Sequence, residues 1–143
     1  CLRKLDYTHD SSVTPFRNWY GKADFSEAKL LSPYFASSDD ILLEGGSGVI
    51  EVPITITPDR LWLRPTLGFS DFPEMQKVVG WYERNVSSVV LCCMFHNVEL
   101  VSGKSPYSEN DVDCDKILER LSNLFGVLSE KGYRFKTISE VSI

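Results

Sequence analysis

The chain has 143 residues, 43% of them hydrophobic and 24% charged, with 15 basic against 20 acidic side chains and a formal net charge of −5. One hydrophobic core fits that length, and the composition is that of an ordinary globular domain rather than a disordered chain. No apolar run approaches the roughly twenty residues that cross a bilayer, and the charge has the wrong sign for a nucleic-acid binder whose few bases do not cluster.

The opening CLRKLDY places Leu2 and Leu5 at helical spacing beside basic residues, as in the last turns of a helix. Together with a first residue that is cysteine rather than methionine, this predicts a piece of a longer protein. THDSSVTP follows, an extended segment running into Pro15, with Asp10, Ser11 and Ser12 at the junction. Either local turn chemistry or a site accounts for them. Residues 16–48 lack periodicity and are rich in aromatics, prolines and serines, the mark of a functional excursion. Trp19, Tyr20, Phe25, Tyr34 and Phe35 there suit stacking on a sugar ring or packing of the loop on its own sheet. EGGSG lacks the lysine of a phosphate loop and reads as a turn.

VIEVPITI, residues 49–56, alternates like a strand, with Ile50, Val52, Ile54 and Ile56 on one face and Glu51 on the other. Pro53 marks an edge or a bulge. Trp62 and Arg64, in the connection beyond, suit an anionic or carbohydrate ligand as well as surface contacts. Phe72, Met75, Val78, Val79 and Tyr82 predict an amphipathic helix over 71–85, with Asp71 as N-cap and Pro73 in its first turn.

The run SVVLCCMFHNVEL, residues 88–100, reads as a strand buried on both faces, with His96 where it runs out. Ligands gather at such strand ends, so His96 is a candidate for chemistry, a structural histidine being the alternative. Cys92 and Cys93 would point to opposite faces as small buried hydrophobes. The four cysteines, Cys1 and Cys114 being the others, match neither zinc nor redox spacing. Free buried thiols suit a reducing compartment and give a preference for the cytoplasm. After the loop VELVSGKSPYSEND, a stripe of Ile117, Leu118, Leu121, Leu124, Phe125 and Leu128 predicts a second helix, capped by Asp113 and ended by Gly132. RFKTI reads as a final strand. The succession implies right-handed parallel crossovers, an α/β layer over residues 1–143 as a single unit.

Taken together, DSSVTP, VIEVPIT, the stretch ending MFHNVEL, the GKSPY loop and the closing helix with KGYRFKTISEV resemble the C-terminal half of the polysaccharide deacetylases, the NodB-homology family. The resemblance implies an α/β fold with a parallel-stranded partial barrel, the C-terminal half of a distorted seven-stranded one. It also implies a carbohydrate substrate, a metal-dependent N-deacetylation, and His96 as the general acid that protonates the leaving amine. Asp10, Glu51 and Glu99 become candidates to line the sugar pocket, alongside Trp62 and Arg64. The family's Asp-Asp and His-x-x-x-His motifs are missing, and His9 and His96 lack ligand spacing. A divalent metal, zinc by the resemblance, and the general base are therefore expected on the N-terminal half of the same domain, the chain's expected partner. No cofactor is expected on the chain alone, which would be inactive by itself. The alternative is a non-catalytic carbohydrate-binding or interaction module.

Overall fold

A computed structural model describes residues 2–143. Cys1, where the expected helix end begins, lies outside them, and the described part of that opening is one 3-10 turn, Leu2–Leu5.

The two helices follow their sequence signals. Helix α1 is Phe72–Asn85. The Asp71 carboxylate accepts the Glu74 N–H at 2.8 Å while the Glu74 carboxylate accepts the Asp71 N–H at 2.9 Å, a reciprocal cap that satisfies two otherwise unpaired donors. Helix α2 is Asp111–Glu130, but its N-cap is Asn110, whose side chain accepts the Asp113 N–H at 3.1 Å. Asp113, the expected cap, sits in the first turn, where the helix dipole favours a carboxylate. Gly132 ends the helix at φ +82°, and the Tyr133 N–H returns to the Leu128 carbonyl at 3.0 Å.

Cys114, Ile117, Leu121, Leu124 and Leu128 make the buried stripe of α2, while Leu118 and Phe125 of the expected stripe remain largely exposed. Each lies one residue, about 100° of helical rotation, past the line that faces inward. Leu124 and Leu128 meet Met75, Val78, Val79 and Tyr82 of α1 and Leu63 in the larger apolar core.

The expected half-barrel of parallel strands is not what forms. Strands β1 (His9–Asp10), β4 (Tyr34–Phe35) and β5 (Ile50–Glu51) make a small three-stranded sheet with β5 in the middle, parallel to β1 and antiparallel to β4. Strands β2 (Asn18–Trp19) and β3 (Ala23–Asp24) form a separate antiparallel hairpin. The architecture is a mixed α/β one, two helices packed on each other and on buried coil, with two small sheets apart from them.

A ladder fails to propagate for local reasons. Beyond Glu51 the chain stays buried through Thr57, on both faces rather than one as the alternation implied. Val52 and Ile54 N–H groups still reach Asp10 and Val13 carbonyls at 2.8 and 2.9 Å, but Pro53 between them has no N–H to give on the other side. When the Thr55 N–H finds the Cys92 carbonyl at 3.1 Å, the Cys92 N–H answers with the Thr55 hydroxyl at 2.7 Å, a side chain in place of a carbonyl. Residues 88–96 are therefore no strand, and residues 89–95 are half-buried rather than covered on two faces; Asn97–Leu100 is a 3-10 turn. RFKTI likewise forms no strand and leads into the turn Ile138–Glu140. His9, with Nε2 2.9 Å from the Val141 carbonyl, fastens this terminal segment beside β1, a structural task.

Candidate functional site

The sequence-chosen residues gather in two places along one buried segment. At its start, Asp10 of β1, Glu51 of β5 and Tyr34 of β4 are register partners across the sheet. Glu51 is fully buried. Its Oε1 accepts the Val13 N–H at 2.8 Å and the Ser12 N–H at 3.2 Å, whereas Oε2 is buried with no partner among the described residues. Burial first, and then the nearby Asp10 carboxylate, push the Glu51 carboxyl up to about 7, although the two backbone donors pull the other way. The Tyr34 phenol is raised as well, by burial and by Glu51; it donates to the Ile41 carbonyl at 2.5 Å.

Asp10 and Glu51 line a cavity of about 270 Å³, whose other wall is the loop carrying Ser37, Ser38 and Asp39, with Arg3 on the same lining. That loop comes close because Gly45 has no side chain: a Cβ there would stand 2.7 Å from the Ser37 Cα.

The second place is built on Trp62 and Arg64, both buried rather than on the surface where the sequence put them. Arg64 Nη2 donates to Glu99 Oε1 at 2.9 Å, Arg64 Nε donates to the Thr66 hydroxyl at 2.8 Å, and that hydroxyl donates to Glu99 Oε2. Glu99 is thus fully buried but satisfied on both oxygens. The Arg64 guanidinium lies 3.9 Å over the Phe69 ring, and Phe69 meets Trp62 and Tyr107 edge to face at 5.9 and 5.6 Å. Trp19, on the hairpin, extends the row to Trp62 at 6.3 Å, and the Arg17 guanidinium sits 5.1 Å over Trp19.

Phe16, at φ +63°, takes the left-handed conformation unusual for a bulky residue and turns the chain from its buried course into this hairpin. Arg120 of α2 donates to the Pro65 and Ser70 carbonyls at 3.2 Å each, holding the loop that carries Thr66 and Phe69.

His96 directly precedes the turn Asn97–Leu100, which brings Glu99 into this second group. It is exposed, and its carbonyl accepts the Glu99 N–H at 2.9 Å. Among the described residues its ring has no hydrogen-bond partner. Burial of Glu99 three residues on, and packing of the turn on α2, fix the backbone that presents it. Cys92 and Cys93 are half-buried thiols whose ionisation burial opposes, pushing Cys93 up to about 12; neither is a nucleophile at neutral pH.

No family model, curated protein or solved structure matches this chain.

Sequence reasoning named His96, Glu99, Arg64 and Trp62 separately and missed what joins them. Trp19 was named as a stacking candidate, but Thr66, Phe69 and Arg17 carry no periodic signal, and only the density of aromatics and arginines between residues 16 and 69 hinted at a shared surface. The described residues do not fit a zinc site: no three His, Cys, Asp or Glu side chains among them converge.

Proposed function

We propose that the chain is the acid-bearing, sugar-contacting part of a carbohydrate N-deacetylase. On this reading the divalent metal and general base reside in protein outside it, since the described residues offer no ligand set. Two lines support it: the ordered resemblance of DSSVTP, VIEVPIT, MFHNVEL and GKSPY to the polysaccharide deacetylases, and the surroundings of His96. The observation that carries most is the exposed His96 ring, without a hydrogen-bond partner among the described residues, directly before the turn whose Glu99 is held by Arg64 and Thr66.

An amide nitrogen leaves only when protonated, and an imidazole titrating in the neutral range is suited to supply that proton. Trp19 and Tyr107, each 37% exposed, offer faces on which a pyranose stacks. Trp62, Arg64 and Glu99 act beneath that surface and do not touch the sugar.

The measurement is acetate release from an N-acetylglucosamine oligomer by the full-length encoded protein. Trp19→Ala and Tyr107→Ala are expected to raise KM severalfold while kcat is largely kept. No acetate from the unaltered protein with zinc supplied overturns the enzyme reading. It then favours a saccharide-binding module.

A further inference from the structure

The cavity beside the sheet has no part in the chemistry proposed for His96, yet its wall carries a feature that costs stability. Asp10 and Glu51 are direct partners on adjacent parallel strands, two carboxyl groups side by side with no basic side chain among the described residues bonded to either. Glu51 Oε1 is occupied by backbone donors, and its buried Oε2 meets no donor among the described residues. A buried acceptor left unmade is among the more expensive features of a fold, and such groups call for a partner.

Among the described residues the groups around the pair are engaged or of the wrong sign, and the Ser12 hydroxyl already donates to Asp10 Oδ1 at 2.9 Å. Tyr34 spends its hydroxyl on Ile41, Asp40 accepts the Leu42 N–H, Asp39 adds a further negative charge on the facing loop, and Cys92 is neutral. Arg3 lines the cavity but lies against Gly48, its Cζ 3.7 Å from where a Cβ would stand, and forms no ion pair among the described residues.

We infer that this cavity binds the primary ammonium of an amino sugar, held by Asp10 and the free Oε2 of Glu51. An ammonium carries three donors and needs no more than three acceptors, which the Asp10 carboxylate, Glu51 Oε2 once its proton is released to solvent, and a lining serine hydroxyl supply. A metal ion would want a larger converging set than the described residues provide. Asp10, half-buried where Glu51 is covered, is the group an entering cation meets first. About 270 Å³ is below the roughly 300–1,000 Å³ of sites for drug-sized ligands, so one ring fits rather than a chain of them.

The choice of an amino sugar rests on the N-deacetylase reading. The product of that reaction bears an ammonium where the substrate bears an acetamide, so the cavity would hold a unit already deacetylated.

The test follows the amide resonances of Ser12 and Val13, whose N–H groups bond Glu51, while the chain is titrated with glucosamine, glucose, N-acetylglucosamine, ethanolamine or magnesium ion. Glucosamine and ethanolamine are expected to shift them, with glucose and N-acetylglucosamine silent. Asp10→Asn is expected to weaken glucosamine roughly tenfold, the loss of one charge-assisted hydrogen bond. Glu51→Gln, in which Oε1 can still accept from Ser12 and Val13, is expected to weaken it as much. Equal shifts from all three sugars, a response to magnesium alone, or no response overturn the site. Ethanolamine binding without glucosamine binding overturns the amino-sugar assignment. An ammonium response in a protein that releases no acetate leaves the cation site standing and removes the deacetylase reading.

Discussion

Glu51 and Glu99 are both fully buried, 48 residues apart in a chain of 143, and their circumstances are opposite. Glu99 has a guanidinium on one oxygen and a hydroxyl on the other. Glu51 has backbone donors on one oxygen, nothing on the other, and a second carboxylate alongside. Burial alone therefore does not decide what a buried acid does. A satisfied one fixes geometry, here the turn that presents His96, while an unsatisfied one is held nearly neutral and is available to a ligand.

The pairing at Glu99 is the easier to break and the more costly. Glu99→Ala leaves the Arg64 guanidinium buried without its counter-charge and the Thr66 hydroxyl without its acceptor. A loss of about 3–5 kcal/mol is expected in urea denaturation. A loss under about 1 kcal/mol would mean that water reaches Arg64 and that the buried pair is not what fixes the turn.

Glu51 is expected to respond with the opposite sign and through pH. Its carboxyl titrates near 7 in the folded chain against 4.5 for the ordinary group, so between those values the folded state holds a proton that the unfolded state has released. Stability from this group is complete below about pH 4.5, falls as pH rises, and is lost above about 7. The difference is on the order of 3 kcal/mol at pH 8. Glu51→Gln removes the titration and keeps an acceptor for the Val13 N–H, so the variant is expected to match the parent at pH 5 and exceed it at pH 8. Parallel pH–stability curves for the two proteins would show that Glu51 is ionised throughout.

The contrast between the two glutamates also marks how far the sequence could be read. Both helices were legible because periodicity and caps are local: Asp71 and Glu74 lie three residues apart, and Met75, Val78, Val79 and Tyr82 share a face. The parallel half-barrel was not, because apolar runs report burial and not pairing. VIEVPIT and VVLCCMF are extended and packed, but Pro53 and the Thr55 hydroxyl take the places where a ladder needs an N–H or a carbonyl.

The candidate site was legible as residues and illegible as an arrangement. Glu99 and Arg64 were both chosen, yet nothing across the 35-residue separation says that they meet, and Glu51 and Asp10 were chosen without any sign that they face each other. Trp62 and Arg64 were misplaced at the surface because a polar or aromatic residue in a connection carries no signal of its burial.

His96 gives the smallest expected change in stability and the most decisive one for function. Its ring is exposed and bonded to nothing among the described residues, so His96→Ala is expected to move the unfolding free energy by no more than about 0.5 kcal/mol. In the full-length encoded protein the same substitution is expected to lower kcat for acetate release by roughly 10²–10⁴, the usual worth of a general acid, with KM little changed. The two measurements separate the roles this residue can have. A structural histidine would lose stability together with activity, a sugar-binding one would raise KM, and a proton donor loses kcat alone and takes with it the limb of the pH profile that reports the acid. Glu99→Gln sharpens the reading further, because it keeps the size of the side chain while weakening the hold on the turn. If His96 acts from a fixed position, that variant should lower kcat although the imidazole is untouched, and unchanged turnover would show that the buried pair serves the fold without serving the chemistry.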